Sequence, residues 1–126
     1  MQPKQIFLID DDPDEADFFK EALNQLSTNL VCNYIDNPVK GIALLQNITP
    51  DYIFTDMNMP ILNGLEFISA IRKIPKLNNV PVILYSTAVN HELENKGIDA
   101  GANACIQKQS NIKLLRQELA KIFEYT

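Results

Sequence analysis

The residues able to do chemistry here are three aspartates, a serine and a lysine: Asp10, Asp11, Asp56, Ser86 and Lys108. Each stands where a short apolar run stops. Ile6-Phe7-Leu8-Ile9 runs into Asp10-Asp11, Tyr52-Ile53-Phe54 leads to Asp56, Pro81-Val82-Ile83-Leu84-Tyr85 ends at Ser86, and Ala104-Cys105-Ile106-Gln107 gives way to Lys108. Three carboxylates brought together repel at neutral pH, a cost relieved by protonation or by a cation. An all-oxygen cluster of this kind suits Mg²⁺, which takes one or two carboxylates, keeps several waters and completes its shell with phosphate oxygens. An ammonium at Lys108 and a hydroxyl at Ser86 supply the other half of a cradle for a phosphoryl group. Phosphoryl transfer mainly requires positioning and charge neutralisation, and a carboxylate can itself be the nucleophile.

The elements that must carry these residues alternate along the chain. The apolar runs predict five strands, and residues 13–26 repeat Phe19, Ala22, Leu23 and Leu26 at helical spacing. Asp12 is placed to cap that helix, with Pro13 in its first position and Glu15 where a capping box wants an acid. A second strand covers Leu30–Ile35. Asn37-Pro38 opens a second helix, with Val39, Ile42, Leu44 and Leu45 as its apolar face. Gly64 opens a third, burying Leu65, Ile68 and Ile71. A weaker fourth helix covers residues 90–98, with Gly97 limiting its length. Ser110 is placed to cap the last helix, whose inward residues are Ile112, Leu115, Leu119, Ile122 and Phe123. Five strands alternating with five helices predict an α/β fold, a parallel sheet covered on both faces. In such a sheet ligands bind outside the carboxyl ends of the strands, where the aspartates, Ser86 and Lys108 all fall.

At these residues the sequence resembles the receiver domains of bacterial response regulators, in the stand-alone, chemotaxis-type form. The resemblance runs from Ile6-Phe7-Leu8-Ile9-Asp10-Asp11-Asp12 to the last helix. Its most specific stretch is Asp56-Met57-Asn58-Met59-Pro60-Ile61-Leu62-Asn63-Gly64, a D-M-x-M-P-x-x-x-G pattern. It implies a doubly wound, flavodoxin-like sheet in the order 2-1-3-4-5 and a single receiver domain over 1–126 with no output domain. It also implies that Asp56 accepts a phosphoryl group from the phosphohistidine of a sensor kinase or phosphotransfer protein. Asp10 and Asp11 then hold Mg²⁺ with Asp56, joined by the backbone carbonyl of Met57. Ser86 takes the family's hydroxyl position and Lys108 its lysine position. Output is expected through an unknown downstream protein, with the chain a monomer or a weak phosphorylation-dependent dimer.

Three departures from the family pattern stand out. Gln109 follows Lys108 where proline is usual, so no cis bond is expected there. Cys105 occupies the place of a switch Tyr or Phe, and Thr87 follows Ser86 where a small residue is more usual. Cys105 and Gln109 motivate the alternative of an interaction module whose output is independent of phosphorylation. Tyr85 is a candidate stand-in for the missing aromatic. Phe18, Tyr34 and Tyr125 read as packing or surface aromatics, and His91 as a solvated or capping residue.

Composition excludes other classes. The 126 residues are 46% hydrophobic and 21% charged, with a net charge of -5 and no basic stripe, which argues against nucleic-acid binding. No apolar run reaches membrane-spanning length and no export signal is visible at Met1-Gln2-Pro3, so Cys32 and Cys105 are expected as reduced thiols in the cytoplasm. Asp12, Asp14 and Glu15 are assigned to the helix start, where acids complement the dipole. A small aspartyl phosphatase would need a capping domain that this chain does not supply. A flavodoxin-type cofactor carrier would need a phosphate loop rich in Ser, Thr and Gly after strand 1. The chain is therefore not expected to be an enzyme in its own right.

Overall fold

A computed structural model describes residues 2–123. Tyr125 lies outside the described residues. The strands are β1 (Lys4–Ile9), β2 (Leu30–Ile35), β3 (Tyr52–Asp56), β4 (Val82–Ser86) and β5 (Ala104–Gln107). The helices are α1 (Pro13–Leu26), α2 (Pro38–Leu45), α3 (Gly64–Ile71), α4 (His91–Ala100) and α5 (Ile112–Phe123), with a short 3₁₀ turn at Pro75–Leu77. The sheet has the order β2-β1-β3-β4-β5 and every pairing is parallel. This is the doubly wound, flavodoxin-like arrangement expected from the sequence.

The apolar runs are continuous because both faces of the sheet are covered. Ile6, Leu8, Phe54, Ile83, Tyr85 and Ile106 point to one side, against Phe19 of α1 and Leu115, Leu119 and Phe123 of α5. Phe7, Ile9, Ile53, Val82 and Leu84 point to the other, against Leu45 of α2 and Phe67, Ile68 and Ile71 of α3. Adjacent residues of one strand thus feed different cores. Register pairs Ile9 with Thr55 and Asp56 with Tyr85, which brings the ends of β1, β3 and β4 to one rim.

Some local expectations are corrected. In α2, Val39 and Leu44 are exposed, and the buried face is Pro38, Gly41 and Leu45. Gly41 sits inward because Ile9 and Phe67 close on it; a Cβ there would lie 3.1 Å from Ile9 Cδ1. Gly97 does not limit α4: it lies buried within the helix, which runs on to Ala100 and stops at Gly101 with φ 118°. The last helix is capped by Asn111 rather than Ser110, its Oδ1 accepting the N–H groups of Lys113 and Leu114 at 2.8 and 3.2 Å.

At the end of the sheet away from the rim, Arg72 binds four acceptors. Its Nε donates to the Gly101 carbonyl at 2.9 Å, Nη1 to Leu77 at 2.6 Å, and Nη2 to Val80 and to Asn103 Oδ1, both at 2.9 Å. Asn103 Oδ1 also accepts the Val82 N–H at 2.8 Å. One guanidinium therefore ties α3, the 3₁₀ turn, the start of β4 and the α4–β5 turn together. Among the described residues no helix is long and apolar enough to cross a membrane.

Candidate functional site: an acidic rim around Lys108

The rim begins at the end of β1. Asp10 is fully buried, its Oδ1 accepting the Asp12 N–H at 3.0 Å and its Oδ2 lying 3.2 Å from Lys108 Nζ. Asp11, one residue on, faces solvent. Asp12 caps α1 as expected, accepting the Asp14 N–H at 2.9 Å. The capping box does not form, because Asp10 takes the Asp12 N–H that Glu15 would have accepted. Glu15 turns instead to Lys108 and pairs with its ammonium. The assignment of Glu15 to helix capping alone is thus corrected.

β3 delivers Asp56 to the centre of this rim, 7% exposed, with Oδ1 at 3.0 Å from Lys108 Nζ. The turn that follows is shaped by close backbone contact. Gly64 N–H donates to the Met57 carbonyl at 2.8 Å, and the Thr55 hydroxyl donates to the Asp56 carbonyl at 3.0 Å. A Cβ on Gly64 would fall 2.4 Å from the Asp56 carbonyl oxygen, so the glycine of the D-M-x-M-P-x-x-x-G pattern is required by contact. Asn63 and Glu66 close a complete capping box at the start of α3. Just ahead of that box Ile61, 72% exposed, has φ 75°, and the Leu62 N–H bonds back to the Pro60 carbonyl at 2.9 Å. This is a γ-turn of the strained hand, carried by a β-branched residue.

β5 delivers Lys108, whose backbone N–H donates to the Ser86 carbonyl at 2.7 Å and so locks the ends of β4 and β5 together. The Lys108–Gln109 peptide is trans, as expected without proline. The Ser86 hydroxyl is buried and donates to the Ala88 carbonyl at 3.3 Å, on the side of the rim that also holds Met57 and Asn58. Exposed Thr87 borders both that depression and the cleft containing Lys108. The structure therefore joins Asp10 and Asp56 through Lys108, brings Asp11 alongside the two carboxylates, and sets Ser86 at their flank.

Electrostatics follow from this crowding. Burial pushes the Asp10 carboxyl up to about 7, against the opposing pull of the Asp12 N–H and Lys108. Asp56 is also raised by burial, with Lys108 pulling the other way. Burial works against the charge on Lys108, but hydrogen bonds to Glu15 and Asp56 and the charge of Asp10 outweigh it and hold the ammonium above its ordinary value. One ligand oxygen from each of Asp10, Asp11 and Asp56 lies within 4.8 Å of the others. A close all-oxygen set with excess negative charge fits a hard divalent cation.

Two contacts of Lys108 were not read from the sequence. Glu15 was legible only as a first-turn acid; that α1 starts at the rim was the available signal, since its first turn must then face the strand ends. The Tyr85 ring lies 5.1 Å from Lys108 Nζ and 5.6 Å from the Phe19 ring. Tyr85 packs on the α1–α5 face while Cys105 packs on the opposite one, so Tyr85 does not stand in for an aromatic at Cys105. His91 is solvent-exposed, 3.5 Å from Glu94.

The site is a carboxylate cluster and a lysine at the carboxyl rim of a doubly wound parallel sheet. A family model described as "Response regulator receiver domain" matches residues 6–120, and the chain belongs to that family, the receivers of two-component signalling. The chemotaxis protein CheY-3 of Vibrio cholerae is 28% identical over 95% of this chain and 92% of its own. The chemotaxis protein CheY of Pseudomonas aeruginosa is 24% identical over 95% and 96%. Among solved structures, the phosphorylated cyanobacterial phytochrome response regulator RcpA superposes with a TM-score of 0.85 at 27% identity, covering 98% of this chain and 93% of that one. The receiver domain of the Pseudomonas aeruginosa sensor histidine kinase PA1611, solved with magnesium in its active-site cleft, shares the fold with a TM-score of 0.79 at 19% identity, covering 94% and 96%. Receivers generally are signalling modules that interact with histidine kinases and downstream effectors.

Proposed function

We propose that this receiver accepts a phosphoryl group on Asp56 from a phosphohistidine of a sensor kinase or phosphotransfer protein. The observation that carries the assignment is a difference among three carboxylates. Asp10 has no exposed surface and spends one oxygen on the Asp12 N–H and the other on Lys108. Asp11 is exposed and forms no ion pair with Lys108 within 4.0 Å. Asp56 combines contact with Lys108 at 3.0 Å and an opening to solvent.

In the transfer, an Asp56 carboxylate oxygen uses its own electron pair to form the new P–O bond. The P–N bond of the donor breaks with its pair on the imidazole nitrogen, which takes a proton from solvent. Lys108 supplies a buried positive charge beside the oxygen that reacts, and Ser86, by turning its hydroxyl from Ala88, supplies a hydrogen bond to the transferred group. Asp10, Asp11 and Asp56 would hold Mg²⁺. When bound, Mg²⁺ neutralises charge on these carboxylates and on the phosphoryl oxygens. The Met57 carbonyl has one lone pair committed to the Gly64 N–H, whereas the next carbonyl, of Asn58, accepts no backbone hydrogen bond among the described residues. A backbone ligand is thus more readily supplied by Asn58.

Phosphorylation replaces one negative charge at Asp56 with nearly two and adds acceptor oxygens, which biases the surrounding loops. Output is by protein–protein contact, from a single receiver domain that is a monomer or a weak phosphorylation-dependent dimer. Free Cys32 and Cys105 accord with a cytoplasmic location. Incubation with acetyl phosphate and Mg²⁺ is expected to add the mass of one phosphoryl group, and Asp56→Asn to abolish the addition. An unmodified wild type would overturn the assignment.

A further inference from the structure

Lys108 has a partner that the chemistry at Asp56 does not use. Its side chain is 10% exposed, and Nζ meets Asp10 Oδ2 at 3.2 Å, Asp56 Oδ1 at 3.0 Å and Glu15 Oε1 in direct contact. Asp10 and Asp56 are strand-end residues of the acidic cluster. Glu15 comes from the first turn of α1, lies outside that cluster, and has a side chain 38% exposed. Glu15 and Lys108 both line a cleft of about 440 Å³, together with Phe18, Tyr85 and Gln109.

Carboxylate oxygens of Asp10, Asp56 and Glu15 surround this ammonium, which has three protons to offer. A phosphoryl group arriving at Asp56 must claim one of them, while Asp56 exchanges its own contact for phosphoryl oxygens. Asp10 is buried and also held by the Asp12 N–H. Among the described residues the Glu15 carboxylate has Lys108 as its hydrogen-bond partner and otherwise faces water, so Glu15 is the partner that can leave at least cost. Until it leaves, its charge both occupies Lys108 and repels the incoming group.

We propose that Glu15 is a positioning residue for the transfer: its carboxylate ties Lys108 to α1 in the unmodified chain, slows arrival of the phosphoryl group, and is released when Lys108 turns to it. This rests on Asp56 being the acceptor. A purely structural Glu15, a first-turn acid complementing the helix dipole, would affect stability and leave the transfer rate alone.

The test compares wild type, Glu15→Gln and Glu118→Gln, the last removing an equal charge from an exposed i,i+3 pair with Lys121 far along α5. The rate of phosphoryl addition from acetyl phosphate with Mg²⁺ is followed by intact mass at low and high salt. The side-chain ammonium resonance of Lys108 is recorded in the metal-free, ¹⁵N-lysine-labelled chains. Glu15→Gln is expected to react about three- to tenfold faster at low salt, with the gain shrinking as salt screens the charge. Its Lys108 resonance shifts, and Glu118→Gln matches wild type in both measurements. An unchanged or slower rate, an equal effect from Glu118→Gln, or an unmoved resonance overturns the inference. A wild type that gains no phosphoryl mass overturns the Asp56 assignment and the rate effect together, while the resonance still decides whether Glu15 positions Lys108.

Discussion

A side chain on Gly64 would place its first carbon 2.4 Å from the carbonyl oxygen of Asp56, with Leu84 Cδ1 at 2.8 Å and Met57 Cα at 3.0 Å. The start of α3 and the end of β3 thus touch through backbone alone, and the orientation of Asp56 depends on a missing methyl group. Gly64→Ala is expected to destabilise the chain by about 1–3 kcal/mol through overpacking and to slow modification of Asp56. Gly97→Ala is the contrast, since its Cβ would meet Ala102 and Leu84 at an ordinary 3.7 Å. That change, inside α4, is expected to stabilise by about 0.5–1 kcal/mol. Urea unfolding of both variants checks the pair; equal losses would contradict it.

Stability should fall with rising pH on the acid side of neutrality when metal is absent. The Asp10 carboxyl is raised from 3.8 to about 7, chiefly by burial, so the folded chain holds this proton more tightly than the unfolded one. Between those values the native state binds more protons, and unfolding free energy declines as pH increases. Lys108, held above its ordinary value, loses its contribution only at alkaline pH, outside this window. Urea midpoints in the presence of a chelator are expected to be higher at pH 5 than at pH 7.5, and Asp10→Asn to flatten the difference. A midpoint that climbs across the window would run against the assignment.

Mg²⁺ is expected to raise the thermal midpoint in a concentration-dependent way, because it binds the folded cluster and not the dispersed carboxylates of the unfolded chain. Asp11 faces solvent, so Asp11→Asn should leave the metal-free midpoint nearly unchanged and remove most of the Mg²⁺ response. Differential scanning calorimetry with and without Mg²⁺ reads both. A full response in Asp11→Asn would remove Asp11 from the metal set.

Arg72 serves four acceptors from one planar group. Arg72→Lys is expected to be nearly as damaging as Arg72→Ala, about 2–4 kcal/mol, because an ammonium has neither the fork geometry nor the reach to serve Gly101, Leu77, Val80 and Asn103 together. Chemical denaturation measures it, and a mild Arg72→Lys variant would count against the geometric account.

Ile61 holds φ 75° while 72% exposed, so it contributes strain with little burial to offset it. Ile61→Asn is expected to stabilise by about 1 kcal/mol, since Asn tolerates the left-handed region. An unfolding midpoint below wild type would indicate that Ile61 packs against something in solution.

Much of this molecule is decided within short stretches of chain. The apolar runs ahead of Asp10, Asp56, Ser86 and Lys108 specify strands because both faces of the sheet are buried, and Thr55, polar inside β3, spends its hydroxyl on the Asp56 carbonyl. Asp12 and Asn63 mark helix starts through bonds that span two or three residues, and Pro13 through its fixed φ. The D-M-x-M-P-x-x-x-G pattern is legible for the same reason, its glycine answering a contact eight residues back. What local pattern left open depends on which remote group arrives. Glu15 could cap its own helix or reach Lys108, 93 residues away, and the choice fell to Lys108 once buried Asp10 had taken the Asp12 N–H. Gly97 breaks an isolated helix, yet it lies within α4 because packing against the sheet outweighs its low propensity. Along the chain Tyr85 was a candidate to replace the aromatic missing at Cys105, and only the sheet assigns the two residues to opposite cores. The sequence alone determined where the reactive groups sit; tertiary packing determined whom each one meets, because a charge chooses its partner by distance in space and by what burial leaves unpaired.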